Sequence, residues 1–334
     1  MKKQITPERI MQLAWGYAPT LCIQAAVQHR VFDVLDQSPK TIKELAKKTG
    51  ASERGLTAIA NVLVAFNFLA RQGNRYRLTP ESANFLVSTE PGFLGALYNH
   101  MATQILPTWL HLPKVVRTGK PVDLVDQQKR GAVFFAGFVE ALFPLSYMPA
   151  RALGEHLKIS KTKKPASVLD IAAGSGVWGI ALAEQSPLVS IAAVDWPPVL
   201  KVTKKVAKRR GLGNRLKGIP GDLLKVEYGT GHQVATLGHI LHSEGRERSQ
   251  KLLRKVFKAL APGGTIVIAE FVPNDARTGP PAPLIFAVNM LVNTTVGDTF
   301  TFAEMSQWLR AAGFKNPRQL DVGGASPLIL ATKP

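Results

Sequence analysis

The chain has 334 residues, 46% of them hydrophobic, a formal net charge of +19 and one cysteine, Cys22. That length suggests about two domains with room for sizeable cores, and a lone cysteine excludes an internal disulfide framework. The opening Met1-Lys2-Lys3-Gln4-Ile5-Thr6-Pro7-Glu8 has no apolar leader, and the longest apolar runs, such as Leu284–Val292, are too short for a bilayer, so a soluble cytoplasmic protein is expected.

Residues 6–36 carry apolar positions at helical spacing, from Ile10 and Leu13 to Val31 and Leu35. Thr41 and Glu44 then form the pattern of a capping box, and Gly50 closes that helix. Ser52 caps a further helix, predicted over Glu53–Leu69. Residues 70–79 read as a hairpin turning at Gly73-Asn74. Helices followed by a β-wing make a winged helix-turn-helix, which raises DNA binding. A groove-reading helix needs an outer face of Arg, Lys, Asn or Gln. Here only Arg54, Asn61 and Asn67 qualify, and an all-round apolar helix is a buried one. Residues 1–90 are therefore expected to be a winged-helix dimerisation domain without a nucleic-acid partner. Residues 91–160 read as a helical linker, rich in aromatics such as Phe138, that contributes to a substrate pocket. The cluster from Lys201 to Arg215 reads as a solvated helix face, because the basic excess is spread along the chain.

From residue 161 onward, strands alternate with helices. Strands are predicted at 167–171, 190–195, 216–220, 234–237, 265–270, 318–322 and 328–331. The first five alternate with helices, which predicts an α/β, Rossmann-like parallel sheet. The last two are joined by a short Gly-rich turn, so the final strand returns antiparallel.

The first of these strands leads into Val168-Leu-Asp-Ile-Ala-Ala-Gly-Ser-Gly-Val-Trp-Gly179, in which Gly174, Gly176 and Gly179 fit a G-x-G-x-x-G spacing. Asp170 precedes the glycines. A carboxylate there repels a dinucleotide pyrophosphate and disfavours an NAD enzyme. It suits a cationic cofactor without phosphates, such as S-adenosylmethionine (SAM). Asp195 ends the second strand, where a carboxylate can accept from ribose hydroxyls. Asp222 follows the third strand and can accept an adenine amine, with Leu223 beside the base. His239 and His242 follow the fourth strand, at the edge where open α/β sheets bind ligands. A histidine there suits general-base work. The His-x-x-His spacing lacks a further ligand cluster, so no metal is expected. Glu270 ends the fifth strand and can orient an imidazole, by triad logic.

These motifs, with Val194-Asp-Trp-Pro, Ile240-Leu-His, Leu260-Ala-Pro-Gly-Gly-Thr-Ile-Val-Ile-Ala-Glu and Ala311-Ala-Gly-Phe, resemble the class I SAM-dependent small-molecule O-methyltransferases with an N-terminal winged-helix dimerisation domain. The resemblance covers nearly the whole chain. It implies a homodimer and methyl transfer to a hydroxyl, phenolic by that family's habit, on a small aromatic or polycyclic metabolite. It also implies a cofactor set of Asp170, Gly174, Gly176, Asp195, Trp196, Asp222 and Leu223. His242 falls on the family's base, and Glu270 on the carboxylate that orients it. Phe138, Phe286, Asn289, Met290 and Asn293 fall on the acceptor pocket. The chain departs from the pattern at Ala172, Gln233, Ser243 and Thr299, which stand where the family has a glycine, an aspartate, an aspartate and, in plant members, a second carboxylate; Asp298 lies beside the last. Methylation at nitrogen or carbon, and a cofactor-binding relative that transfers no methyl, are the other activities this pattern admits.

Overall fold

The computed structural model describes residues 5–121, 128–324 and 326–334, excepting the side chains of 128–130 and 133. The chain forms two compact units, Met1–Pro107 and Thr108–Pro334. That boundary falls inside the segment 91–160, which therefore contributes helices to both units.

In the first unit the helical pattern of residues 6–36 resolves into three helices, α1 Glu8–Ala14, α2 Ala18–Gln28 and α3 Val31–Gln37. Arg30, at φ 56°, turns the chain between α2 and α3. A short strand β1, Lys40–Thr41, leads into α4, Ile42–Thr49. The Thr41–Glu44 capping box forms as expected, and Gly50 ends α4 at φ 73°. Ser52 caps α5, Glu53–Ala65. Strands β2, Leu69–Gln72, and β3, Arg75–Leu78, make the wing, with β1 as a third strand.

Helix α5 is shorter than the sequence pattern suggested. Asn67 adopts φ 60° and redirects the chain, so Leu69 becomes a strand residue. Nor is α5 buried all round. Leu56, Ala60 and Leu63 face the core, while Ala58, Asn61, Ala65 and Phe66 are exposed in the single chain. Helix α1 has no buried residue and exposes Ile10, Met11 and Leu13, followed by Trp15 and Tyr17. Short helices α6, Pro80–Phe85, and α7, Gly95–His100, complete the unit, and α8, Leu106–Trp109, crosses the boundary in sequence.

The second unit opens with α9, Leu112–Thr118, α10, Gln128–Phe138, and α11, Phe143–His156. Its sheet comprises β4 Ala166–Ile171, β5 Val189–Asp195, β6 Leu216–Pro220, β7 His232–Gly238, β8 Leu260–Ala269, β9 Lys315–Leu320 and β10 Leu328–Thr332. Helices α12 Val177–Ala183, α13 Pro197–Arg209, α14 Leu241–Ala259, α15 Pro281–Asn293 and α16 Phe302–Ala311 lie between them, whereas β6 runs to β7 without the helix expected there. The strand order is β6-β5-β4-β7-β8-β10-β9. The first five strands of that order, β6 to β8, pair in parallel, and β10 lies antiparallel between β8 and β9.

Strands β4, β5, β7 and β8 are apolar almost throughout, as strands covered on both faces must be. Their residues divide by alternation into two cores, one with Val168, Ile191 and Val267, the other with Leu169, Val194, Leu237 and Ile268. Helix α13 buries Val199, Leu200, Thr203, Val206 and Ala207 and turns its lysines to solvent, as expected for a solvated face. Among the described residues, no helix is long and apolar enough to cross a membrane.

Candidate active site

The order reversal of the sheet lies between β4 and β7, and the candidate residues collect beyond the carboxyl ends of these strands and of β5 and β8. Such an edge is where open α/β sheets take ligands.

The turn after β4 depends on its small residues. Ala172, Gly174 and Gly176 all have positive φ, at 52°, 56° and 80°. A glycine is the easier fit at the first of these, which accounts for Ala172 being a departure. At Gly176 a Cβ would lie 2.8 Å from Thr203 Cγ2. Thr203 holds the turn from below, its hydroxyl donating to the Gly174 carbonyl at 2.7 Å.

Asp170 does not reach the open side of this turn. It is fully buried; one carboxylate oxygen accepts from the Gly179 N–H at 3.0 Å and the other from the Thr236 hydroxyl at 2.7 Å. Burial pushes its pKa up to about 7 against those two hydrogen bonds, and the nearby Asp195 charge adds to the rise. Asp170 is thus held beneath the glycine turn by Gly179 and Thr236. Asp195 is the last residue of β5. Its carboxylate accepts from the Gly174 N–H at 2.8 Å and from the Trp196 N–H at 2.7 Å. Burial raises its pKa to about 6, opposed by those two donors.

Asp222 is half-buried, accepts from the Leu224 N–H at 2.8 Å, and lies 3.5 Å from Arg248, which also pairs with Glu244. Leu223 is only 8% exposed and belongs to the apolar layer with Tyr228, so it packs into the core more than its expected place beside a base required. Trp196 lies 6.2 Å, centroid to centroid, from Phe135, which packs with Phe134 and Phe138. Phe138 therefore joins an aromatic cluster on the side of the glycine turn, and Val139 packs next to Gly174.

On the other side, His242 and Glu270 meet. Their Nδ1 and Oε2 are 2.7 Å apart, and the His242 backbone N–H donates to the other carboxylate oxygen at 3.2 Å. His242 is 9% and Glu270 3% exposed. Burial alone would raise the Glu270 pKa, but His242 through charge and hydrogen bonds, aided by His239, holds it below the usual carboxylate value. Gly245 interrupts α14 at φ 71°, ψ 173°, so residues 241–244 form a separate turn that carries His242. That turn is tied by the Asp298 N–H donating to the His242 carbonyl at 2.9 Å.

Phe286 of α15 meets the His242 ring edge-on at 4.8 Å and stacks on Phe271 at 4.1 Å. Phe271, next to Glu270, is a site residue the sequence pattern did not reveal. Asn289 accepts from the Trp109 indole N–H at 2.9 Å and from the Asn293 amide at 3.1 Å, so its side-chain oxygen joins both. Met290 and Asn293 are each 5% exposed and contribute packing more than open pocket surface.

Asp298 and Thr299 stand where plant members carry the second carboxylate. Asp298 turns to Arg277 at 3.5 Å and its oxygen accepts from the Thr299 N–H. Thr299 Oγ1 is buried with no hydrogen-bond partner among the described residues. Ser243 caps its own turn by donating to the Ile240 carbonyl, and Gln233 accepts from the Ser167 N–H.

His239, His242 and Glu270 bring possible metal-ligating atoms within 4.8 Å of one another. Two of the three already hydrogen-bond each other, which suits proton transfer and competes with a cation. An acceptor hydroxyl approaching the remaining nitrogen of His242 would find a base whose other nitrogen is held by a carboxylate.

The residues 109–315 match the model of the O-methyltransferase domain, and residues 11–88 match that of the O-methyltransferase dimerisation domain. The chain is 29% identical to 3-hydroxy-5-methyl-1-naphthoate 3-O-methyltransferase of Streptomyces sahachiroi, over 98% of this chain and 95% of that one. It is 25% identical to the tetracenomycin polyketide synthesis 8-O-methyl transferase TcmO of Streptomyces glaucescens, over 98% and 97%. Among solved structures, human N-acetylserotonin methyltransferase in complex with SAM superposes with a TM-score of 0.85 at 22% identity, covering 100% of this chain and 99% of that one. With the domain model matched over more than half its length, on a sheet and a His–Glu pair of this kind, the chain belongs to the O-methyltransferase family in which a dimerisation domain precedes the catalytic domain.

Proposed function

We propose that this chain is a SAM-dependent O-methyltransferase that acts on a phenolic hydroxyl of a small aromatic or polycyclic metabolite, with His242 as general base. The observation that carries this reading is the 2.7 Å contact between His242 Nδ1 and Glu270, with Phe271 and Phe286 walling the imidazole. SAM, when bound, would supply the methyl group as an electrophilic sulfonium and leave as S-adenosylhomocysteine. His242 would take the proton of the acceptor hydroxyl that receives the methyl. Glu270 steadies the imidazolium that forms, as a buried carboxylate does in a triad. The aromatic acceptors named for the Streptomyces relatives support a flat, polycyclic acceptor here.

Asp195 is proposed to accept from the ribose hydroxyls, and Asp222 from the adenine amine. The backbone of Gly174 and Gly176, with Trp196, would border the cofactor, and Asp170 would support that turn from beneath. Asn289, Asn293, Met290 and Phe138 would shape the wider pocket. The first unit is proposed to form a homodimer through the apolar surface of α1 and the open face of α5. A reducing cytoplasm suits the lone Cys22, and α5 offers no basic face to a nucleic acid.

The test uses methyl-labelled SAM with phenols, hydroxynaphthalenes, hydroxyquinones and amines. Label transferred to oxygen by the wild type, and lost by His242→Ala while SAM still binds, is the expected result. Equal turnover by His242→Ala overturns the base assignment, and transfer only to amines overturns the oxygen acceptor.

A further inference from the structure

His239 is a second imidazole at the same edge, and nothing in the proton-transfer scheme uses it. It follows β7 at φ 57°, the left-handed region that few non-glycine residues occupy. Such strain persists where the surrounding structure imposes it. Two neighbours do so here. A Cβ on the preceding Gly238 would lie 2.2 Å from Trp178 Nε1, so the strand must end on a glycine packed against that indole. The His239 N–H then donates to the Ala269 carbonyl at 2.8 Å, which pins the backbone beside Glu270.

The residue is exposed as a whole; its ring lies 5.2 Å from Phe271 and 6.4 Å from the His242 ring, at an angle of 45° to the latter. No hydrogen bond reaches either of its ring nitrogens among the described residues. Desolvation by the surrounding protein lowers its pKa and the neighbouring His242 adds to that, against an opposing pull from Glu270. A neutral imidazole offers one donor and one acceptor. Each ring nitrogen reaches an oxygen at about 2.9 Å. Two imidazoles at this separation, beside the stacked pair Phe271 and Phe286, can hold two oxygens on one edge of a single flat molecule.

We propose, resting on the reading above, that His239 is the specificity-determining anchor of the acceptor, hydrogen-bonding a second oxygen substituent one or two ring carbons from the hydroxyl that faces His242. Hydroxyarenes that carry a neighbouring hydroxyl, carbonyl or carboxyl are then selected over simple phenols.

The experiment compares 2-naphthol, 2,3-dihydroxynaphthalene and 3-hydroxy-2-naphthoate, by turnover with SAM and by calorimetric binding to protein loaded with S-adenosylhomocysteine. The wild type should prefer the two-oxygen acceptors at least tenfold in both measurements. His239→Phe should raise KM and Kd for these about tenfold, leave those for 2-naphthol unchanged, and keep kcat within threefold with the same pH profile. His239→Gln, which retains a donor and an acceptor, should recover part of the preference. His239→Gly, which relieves the backbone and removes the ring, serves if the Phe variant does not fold. Binding without a two-oxygen preference in the wild type overturns the proposal, as does a preference that survives both His239→Phe and His239→Gly. A kcat that collapses for all three acceptors with a displaced pH profile also overturns it, placing His239 in the proton path. Absence of turnover with a preserved binding preference counts against the methyl-transfer reading and supports this one.

Discussion

Glu270 grips His242 twice, through the imidazole Nδ1 at 2.7 Å and through the residue's own backbone N–H at 3.2 Å. One carboxylate thereby fixes both the tautomer and the position of the turn that carries the ring. His242→Ala is expected to lower kcat by ~10²–10⁴-fold, the usual worth of a positioned base, with the Kd for SAM unchanged. Glu270→Gln should also lower kcat, since an amide cannot balance the imidazolium. Single-turnover kinetics beside SAM titrations separate the two effects; a Glu270→Gln enzyme with wild-type kcat would remove Glu270 from the mechanism.

Asp195 should make SAM affinity depend on pH. Its pKa is raised to about 6 by burial, and the ribose role needs the ionised form. Affinity is thus expected to be level above pH 7 and to fall toward tenfold per unit once the pH drops below 6. Asp195→Asn should bind weakly and lose this dependence. Calorimetry from pH 5 to pH 8 reads both, and a flat wild-type profile would contradict the role.

Asp170 gives the opposite kind of signal, in stability. Its folded pKa of about 7 lies above the ordinary 3.8, so the native state holds a proton that the unfolded chain has released. Stability contributed by this group is therefore full below pH 4 and declines as pH rises through 7, at ~1.4 kcal/mol per unit of offset. Asp170→Asn can still accept from Gly179 and can donate to Thr236. Urea unfolding at pH 5, 6.5 and 8 should show the variant gaining on the wild type as pH rises.

Gly245 is the hinge of the turn that carries His242. An alanine there would meet the Val296 carbonyl at 2.7 Å and would have to hold φ 71°. Gly245→Ala is expected to cost roughly 1–3 kcal/mol of stability and to lower kcat by displacing His242. Thermal melting and turnover measure these together, and a variant with native Tm and kcat would show the turn to be adaptable.

The surface of α1 carries the assembly prediction. Ile10 and Leu13 are 73% and 74% exposed, and Trp15 65%. Leu13→Asp combined with Ile10→Asp should turn a dimer into a monomer in light scattering at micromolar concentration. A dimer unaffected by both charges would move the interface elsewhere.

Much of the catalytic unit was legible because burial on both faces leaves continuous apolar runs. Strand β6 was anticipated at its observed bounds, and β4 and β5 to within one residue. Strand β8 begins five residues before the expected start, since Pro262-Gly263-Gly264 reads as a turn yet is carried within the strand. The His242–Glu270 pair was legible from their places after the fourth strand and at the end of the fifth. Its aromatic wall was less so: Phe271 lies just past a strand, where no periodicity marks it. The orientation of Asp170 was not legible, because its partner Thr236 comes from another strand and only the folded sheet brings them together. Asp298 likewise reads as a spare carboxylate until Arg277 is seen to claim it.

The sheet cannot be closed in the order in which it is written. Strand β10 inserts between β8 and β9, with Leu328 opposite Ala269, the residue before Glu270. Without residues 328–332 the outer edge of β8 has no partner, so the support of the Glu270–His242 contact runs through a strand distant from His242 and Glu270 in sequence.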